Sequence, residues 1–185
     1  MSCPGQDWRL RAAFLLCSLY FLAAGLAFLP RAGIYNDEAL FARGVYLRDG
    51  VEASLEIAGS HLPIMLMPHL GALKSLLYQP WLALLGPSLW SLRLPVLLLG
   101  ACTVILLGRT VALLGGRRAG VFAAVLLATD VPFLLATVFD WGPVALQNLL
   151  LVAGSYFLAR FAQRGRSKDV ALAGCLLGLG LWDKA

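Results

Sequence analysis

A few isolated charges in an otherwise apolar chain are the residues best suited to chemistry. The adjacent acids Asp37 and Glu38 follow the first long apolar run, and a further acid, Asp140, lies much later in the chain. Lys74 lies between them in sequence, and Lys184 comes near the end. A carboxylate can take a proton from a hydroxyl group, and a lysine can stabilise a departing phosphate. These residues could therefore support group transfer if the fold brings them together.

The composition indicates a membrane protein. Of the 185 residues, 60% are hydrophobic and 14% are charged, whereas about a quarter of a soluble domain is charged. The net charge of +5 does not indicate nucleic-acid binding, because the basic residues lie between apolar runs and not in a stripe interleaved with aromatics. A spanning helix needs about 20 apolar residues. Five stretches approach or reach that length: residues 12–30, 94–114, 119–139, 141–160 and 169–185. We therefore predict an all-α polytopic membrane helix bundle with four or five spans.

The positions of the basic residues predict the orientation of this bundle. Clusters of arginine and lysine precede the first span, separate the second from the third, and separate the fourth from the fifth. Because such clusters favour the cytoplasmic side, the N-terminus is predicted to be cytoplasmic. Residues 31–93 then form a long first outer loop, in which near-helical apolar spacing predicts amphipathic surface helices.

Aromatic and capping residues refine the prediction for this outer loop. Tyr78, Trp81 and Trp90 are predicted to be interfacial aromatics. The stretch "MLMPHLGALKSLLYQPWLALLG" is expected to form short surface helices broken at its prolines and glycine. Ser88 is predicted to be the N-cap of the helix that leads into the second span.

The predicted topology places several charges at the same outer membrane level. At 1.5 Å per residue, the third span carries Asp140 to the outer interface, where Asp37 and Lys74 also lie. Lys184 reaches this level if the fifth span runs outward. Outside the cytoplasm there is no pool of nucleotide-activated donors, so a transfer reaction there would use a lipid-linked donor. A sugar on a polyprenyl phosphate would need cations for its leaving phosphate and a carboxylate base for the acceptor hydroxyl.

The order of these features resembles the membrane glycosyltransferases of the protein mannosyltransferase and aminoarabinose transferase superfamily. The acid pair in "NDEALFARG" resembles the start of their first outer loop, and "HLGALKSLLYQPWLALLGPSLWSLRLP" is similar to their lysine-containing stretch. The motif "FDWGPVALQNLL" resembles the bacterial dolichyl-phosphate-mannose–protein mannosyltransferase-like group, and "GLGLWDKA" resembles a span that ends in lysine. The resemblance covers nearly the whole chain.

This resemblance implies an inverting transfer of sugar from a polyprenyl-phosphate donor to a glycan, lipid or protein acceptor on the outer face of a bacterial inner membrane. It implies no certain cofactor, although a divalent metal is an open alternative, and it makes residues 1–185 the N-terminal part of a longer transferase domain. The candidate catalytic residues are Asp37, which matches the base of the family, and Asp140, which matches the acid of its second outer loop. Lys74, Arg93 and Lys184 are the candidates for binding the donor phosphate, and Glu38 and His69 are the candidates for a metal or for loop orientation.

Other interpretations of the same residues stay open. The acid pair could simply begin a helix, Lys74 could snorkel, and Arg93 could contact lipid headgroups. Asp130 lies inside the third apolar stretch, where an acid could be the relay of a transporter or channel. Pro132, however, could end that span early and leave Asp130 in the outer loop. A third alternative is a non-catalytic membrane protein that acts as an assembly partner.

Overall fold

The computed structural model describes residues 4–31, 33–46, 51–57, 60–140 and 142–184. Within these ranges the chain forms eight α-helices, a short 3-10 helix at Leu29–Arg31 and one antiparallel sheet. The helices are α1 (Pro4–Phe28), α2 (Asn36–Tyr46), α3 (Leu73–Leu85), α4 (Leu89–Gly115), α5 (Arg117–Thr129), α6 (Val131–Val138), α7 (Val144–Arg164) and α8 (Ser167–Asp183). The predicted class, an all-α membrane helix bundle, is confirmed.

Three of the described helices are long and apolar enough to cross a membrane, namely α1, α4 and α7. Helices α5 and α6 make a fourth crossing if they are taken together, although they bend by 55° where they meet. Helix α8 has 17 residues, which corresponds to about 26 Å. The predicted fifth span therefore remains a prediction, since about 30 Å of hydrocarbon has to be crossed.

Glycines let the helices of the bundle approach each other closely. A Cβ added at Gly108 of α4 would lie 2.7 Å from the Phe14 ring of α1, and one added at Gly100 would lie 2.8 Å from the Phe21 ring. Both phenylalanines are buried in the same core cluster. Van der Waals packing against small residues drives helix association in lipid, so these contacts fix α1 against α4.

The outer segment contains a sheet as well as helices. Strands β1 (Ala53–Ile57), β2 (Ser60–Met67) and β3 (Leu70–Gly71) pair antiparallel in the order β1-β2-β3. Helices α2 and α3 confirm that two stretches of this segment are helical, and their location on the membrane surface stays a prediction. The prediction of a helix that starts at Met65 was wrong, because this residue lies in β2 and pairs with Ala53 and Gly71 across the sheet.

The predictions for the start of α4 and for its neighbouring aromatics have different outcomes. Ser88 is the N-cap of α4, and its hydroxyl accepts a hydrogen bond from the Ser91 N–H at 3.0 Å. Trp90 is 52% exposed, as an interfacial residue would be. Tyr78 was wrongly predicted to be interfacial, since it is buried against Leu82 and Leu92. The face of α3 that carries Tyr78 and Leu82 therefore packs against α4, whereas Leu77, Leu84 and Leu85 are exposed.

The end of α8 is attached to the sheet of the outer segment. Lys184 forms an isolated antiparallel bridge with Leu70, and the Trp182 indole N–H donates to the Ile64 carbonyl at 3.2 Å. A Cβ at Gly71 would clash with the Trp182 carbonyl oxygen. This position therefore needs glycine, and the close approach brings the last described residues of the chain beside the first outer loop.

Candidate functional site

The two acids of the opening pair have different surroundings. Glu38 is fully buried and forms an ion pair with Arg93, which is also fully buried. The Arg93 guanidinium contacts both Glu38 oxygens and also donates to the carbonyls of Leu29 at 2.8 Å and Gly33 at 2.6 Å. Glu38 in turn accepts from the Tyr35 N–H at 2.7 Å. This clamp joins the end of α1, the start of α2 and the start of α4.

Asp37, in contrast, lines a groove. The groove has a volume of about 560 Å³, and Asp37 shares it with Arg43, His69 and Lys184. None of the described residues forms a hydrogen bond or an ion pair with the Asp37 carboxylate. The clamp that holds Glu38 inward thus leaves the adjacent side chain, one position earlier on α2, directed toward the groove.

Lys74 and Asp140 form a second buried ion pair beside this groove. The Lys74 ammonium contacts Asp140 and also donates to the Gly142 carbonyl at 2.8 Å. It lies over the Phe41 ring, 4.3 Å from the centroid. A carboxylate, a carbonyl and an aromatic face therefore contact the ammonium, and together they offset the cost of burying it.

The turn after α6 brings the second acid close to the first. Asp140 has a left-handed backbone with φ of 48°, and Gly142 has φ of 58°. A Cβ added at Gly142 would lie 3.4 Å from the Asp37 Oδ2. Asp37 and the turn that contains Asp140 are therefore neighbours, which a shared membrane level alone could not establish. A left-handed Asp140 is tolerated because aspartate adopts this conformation more readily than most residues.

The ionisable side chains that line the groove are basic, apart from that of Asp37. Arg43 is on α2, His69 is in the turn between β2 and β3, and Lys184 follows α8. All three are exposed, and the described part of the chain holds no ion-pair partner for Arg43 or Lys184. An open groove whose carboxylate has no partner among the described residues, and which also holds the cations Arg43 and Lys184, can bind an anion and accept a proton in the same place.

A family model describes this chain over residues 73–185, which is more than half of its length. Its description is dolichyl-phosphate-mannose-protein mannosyltransferase. The chain belongs to this family. Membership supports a glycosyltransferase that uses a polyprenyl-phosphate sugar and an integral membrane location. No curated protein and no solved structure matches the chain significantly.

The matched region contains some of the candidate residues and not others. Lys74, Arg93, Asp140 and Lys184 lie inside it, whereas Asp37 lies before it. Glu38 and His69 also lie before it. The roles of all seven candidates in the mannosyltransferase family reaction stay predictions. The structure contributes their positions: Asp37, His69 and Lys184 line the groove, while the other four form the two buried ion pairs beside it.

Sequence reasoning missed two residues at this site. Arg43 lies six residues after Asp37 on α2 and lines the same groove. Asp183 is fully buried, and its Oδ1 accepts from the Lys74 backbone N–H at 3.2 Å. Helical spacing does not indicate Arg43, because six residues at 3.6 residues per turn place it about 120° from Asp37 around the axis of α2. No local signal distinguishes Asp183 from its exposed neighbour Lys184, since the contact joins residues 109 positions apart.

Burial changes the titration of the groups behind the groove. It raises the pKa of Asp140, although the charge of Lys74 and its hydrogen bond oppose the rise. Burial also raises the pKa of Tyr78 well above its ordinary value, and the charges of Asp140 and Asp183 add to this effect. The Tyr78 hydroxyl therefore stays protonated, and its buried oxygen has no hydrogen-bond partner in the described part of the chain.

The metal and relay interpretations receive no support from the geometry. Among the described residues, no three His, Cys, Asp or Glu side chains are grouped as metal ligands would be. Glu38 is engaged by Arg93, and His69 is exposed in the groove. Asp130 is exposed, and its carboxylate caps α6 by accepting from the Phe133 N–H at 2.7 Å. A carboxylate at the bundle surface is not positioned for a relay through the helices.

Proposed function

We propose that this protein transfers a sugar, with inversion, from a polyprenyl-phosphate donor to a hydroxyl group of a protein acceptor, and that Asp37 is the general base. The single observation that carries this proposal is the position of Asp37, whose carboxylate has no partner in the described ranges and lies in a groove whose other charged side chains are basic. Family membership supports the class of donor and the protein acceptor. A glycan or a lipid acceptor would use the same chemistry.

The reaction is a single displacement at the anomeric carbon. The acceptor oxygen forms a bond to this carbon as the bond to the phosphate oxygen breaks, and the electron pair leaves with the polyprenyl phosphate. The acceptor proton passes to the Asp37 carboxylate, which has to lie within hydrogen-bond reach of the acceptor. Because the leaving group is a phosphate, cations stabilise the charge that develops on it, and no proton donor is needed.

The cations best placed for this phosphate are Lys184 and Arg43, with His69 beside them. Lys74 and Arg93 lie farther back, in ion pairs with Asp140 and Glu38. We assign these two pairs a positioning role, because Glu38 and Arg93 hold the start of α2 against α4, and Lys74 and Asp140 hold the start of α3 against the turn after α6. Lys74 can also contribute to the electrostatic potential at the groove floor, since it reaches the Gly142 carbonyl.

The proposed setting follows from the predicted topology. With a cytoplasmic N-terminus, the groove lies on the outer face of a bacterial inner membrane, where α1 ends and α4 begins. A polyprenyl-phosphate donor held in the membrane would present its phosphate and sugar at this level.

The test compares the parent with Asp37→Asn in proteoliposomes supplied with radiolabelled polyprenyl-phosphate mannose and an acceptor protein. Transfer by the parent is expected to fall by at least about 100-fold in the variant, because removal of a general base costs about 10²–10⁴. Asp130→Asn is the matched control, since it makes the same carboxylate-to-amide change outside the groove and asparagine is as good an N-cap as aspartate. Full transfer by Asp37→Asn, or equal loss in both variants, would refute the assignment.

The phosphate assignment has its own test. Lys184→Gln and Arg43→Gln are each expected to weaken use of the donor. They should also weaken the inhibition of transfer by free polyprenyl phosphate, because this product carries the same phosphate as the donor. Arg164→Gln, an exposed arginine at the end of α7, is the control. Unchanged product inhibition in both groove variants would place the phosphate elsewhere.

A further inference from the structure

A second groove lies at the end of the bundle opposite the candidate site. It runs between the first turns of α1 and the start of α5, and it is bordered by Arg9, Arg117 and Arg118. The candidate site lies at the other end of the bundle, where Arg93, near the start of α4, donates a hydrogen bond to the carbonyl of Leu29, which follows α1. The proposed transfer reaction uses nothing in this second groove.

The floor of this groove is apolar. It is formed by Leu10 and Ala13 of α1 and by Val121, Phe122 and Val125 of α5, and it has a volume of about 510 Å³. Phe122 is 65% exposed, so a large aromatic side chain is left without protein cover. These residues lie deeper along both helices than the arginines. Seven residues separate Arg118 from Val125, which corresponds to about 10 Å along the axis.

Charge at this end is strongly basic. Residues 1–13 and 116–125 together contain four basic residues, Arg9, Arg11, Arg117 and Arg118. They contain one acid, Asp7, whose side chain lies outside the described residues. Such an excess would attract any anion. The apolar floor selects among anions, because an inorganic or sugar phosphate has nothing to place there, whereas an acyl chain does.

We propose that this groove binds one molecule of a diacyl anionic phospholipid, with its phosphate at Arg9 and Arg118 and part of an acyl chain along Val121, Phe122 and Val125. Basic pockets between membrane helices suit such headgroups. The bound lipid would cover the exposed side of Phe122 and join α1 to α5 at the predicted cytoplasmic surface. The proposal depends neither on the sugar-transfer activity nor on Asp37.

The test is native mass spectrometry of the purified protein in detergent, with added phosphatidylglycerol or with phosphatidylcholine of the same acyl chains. One phosphatidylglycerol is expected to be retained in preference to phosphatidylcholine. Arg9→Gln combined with Arg118→Gln should weaken this binding by about 25-fold, because each basic residue near a membrane surface contributes about fivefold. Ala13→Phe should also weaken it, since the ring fills the floor and changes no charge.

Matched variants separate the groove from the general charge of this end. Arg164→Gln combined with Arg166→Gln removes the same charge from exposed positions next to the turn between α7 and α8 and should leave binding intact. Arg9→Lys combined with Arg118→Lys should retain most of it. Circular dichroism and size-exclusion profiles identify variants that do not fold. If Ala13→Phe misfolds, Ala13→Leu replaces it.

Several results would overturn the proposal. Equal binding of phosphatidylcholine, full binding by the folded glutamine double variant, or equal loss in the Arg164 and Arg166 control would each do so. Competition by glycerol phosphate as strong as that of the whole lipid would show a headgroup site without the apolar floor. Displacement of phosphatidylglycerol by equimolar polyprenyl phosphate would assign the groove to that lipid instead.

Discussion

Removal of Glu38 should destabilise the fold far more than removal of its neighbour Asp37. In the Glu38→Ala variant, the Arg93 guanidinium stays buried and loses both carboxylate contacts, while its bonds to the Leu29 and Gly33 carbonyls remain. The variant also removes the acceptor of the Tyr35 N–H. An uncompensated buried charge is among the most costly defects that a single substitution can produce.

The magnitude follows from the burial of the pair. Both side chains are 0% exposed, and loss of one partner of a buried ion pair costs about 3–5 kcal/mol. For a chain of this size, about 2–4 °C in unfolding temperature corresponds to each kcal/mol, so a fall of about 6–20 °C is expected. Asp37→Ala removes an acid from the same helix turn without breaking an ion pair. It should cost about 1 kcal/mol or less.

The assay is thermal unfolding in detergent at one fixed scan rate, followed by tryptophan fluorescence. A double-mutant cycle with Arg93→Leu isolates the pair. The double variant is expected to be about as stable as either single variant, because the second substitution removes the buried charge that lost its carboxylate in the first. Additive losses in the cycle, or a shift by Glu38→Ala no larger than that of Asp37→Ala, would refute the clamp.

The buried groups near the groove lead to three further expectations, each measured as an unfolding temperature. Tyr78→Phe should leave stability unchanged or raise it by up to about 1–3 kcal/mol, because the hydroxyl lacks a hydrogen-bond partner in the described ranges. A clear loss of stability would show that the hydroxyl has such a partner. Gly71→Ala should cost about 1–3 kcal/mol through its clash with the Trp182 carbonyl, whereas Gly174→Ala, which meets nothing within 4 Å, should cost nothing. Because burial raises the pKa of Asp140, its protonated form stabilises the fold fully below the ordinary pKa of about 3.9, and this stabilisation is lost as pH rises through the raised value. The unfolding temperature of the parent minus that of Asp140→Asn should therefore fall as the pH rises from about 4 through the raised pKa, and a rise would contradict the direction of the shift.

Much of the molecule could be predicted from local sequence. Long apolar runs have to be helical in lipid, because every backbone polar group must be satisfied within the segment, and α1, α4 and α7 follow this rule. The helix start at the acid pair and the Ser88 cap were also predictable, since both depend on residues within one turn. The sheet was not, because the pairing of Ala53 with Met65 and of Met65 with Gly71 joins separate segments.

The sequence by itself determined that this is a membrane helix bundle of the dolichyl-phosphate-mannose-protein mannosyltransferase family with a few charges outside its apolar runs. Only the tertiary structure decided what each charge does. It buries Glu38 with Arg93 and Asp140 with Lys74, and it leaves Asp37 in the groove with Lys184. The physical reason is that a charge removed from water needs a partner, and the fold brings such partners together from distant positions in the chain.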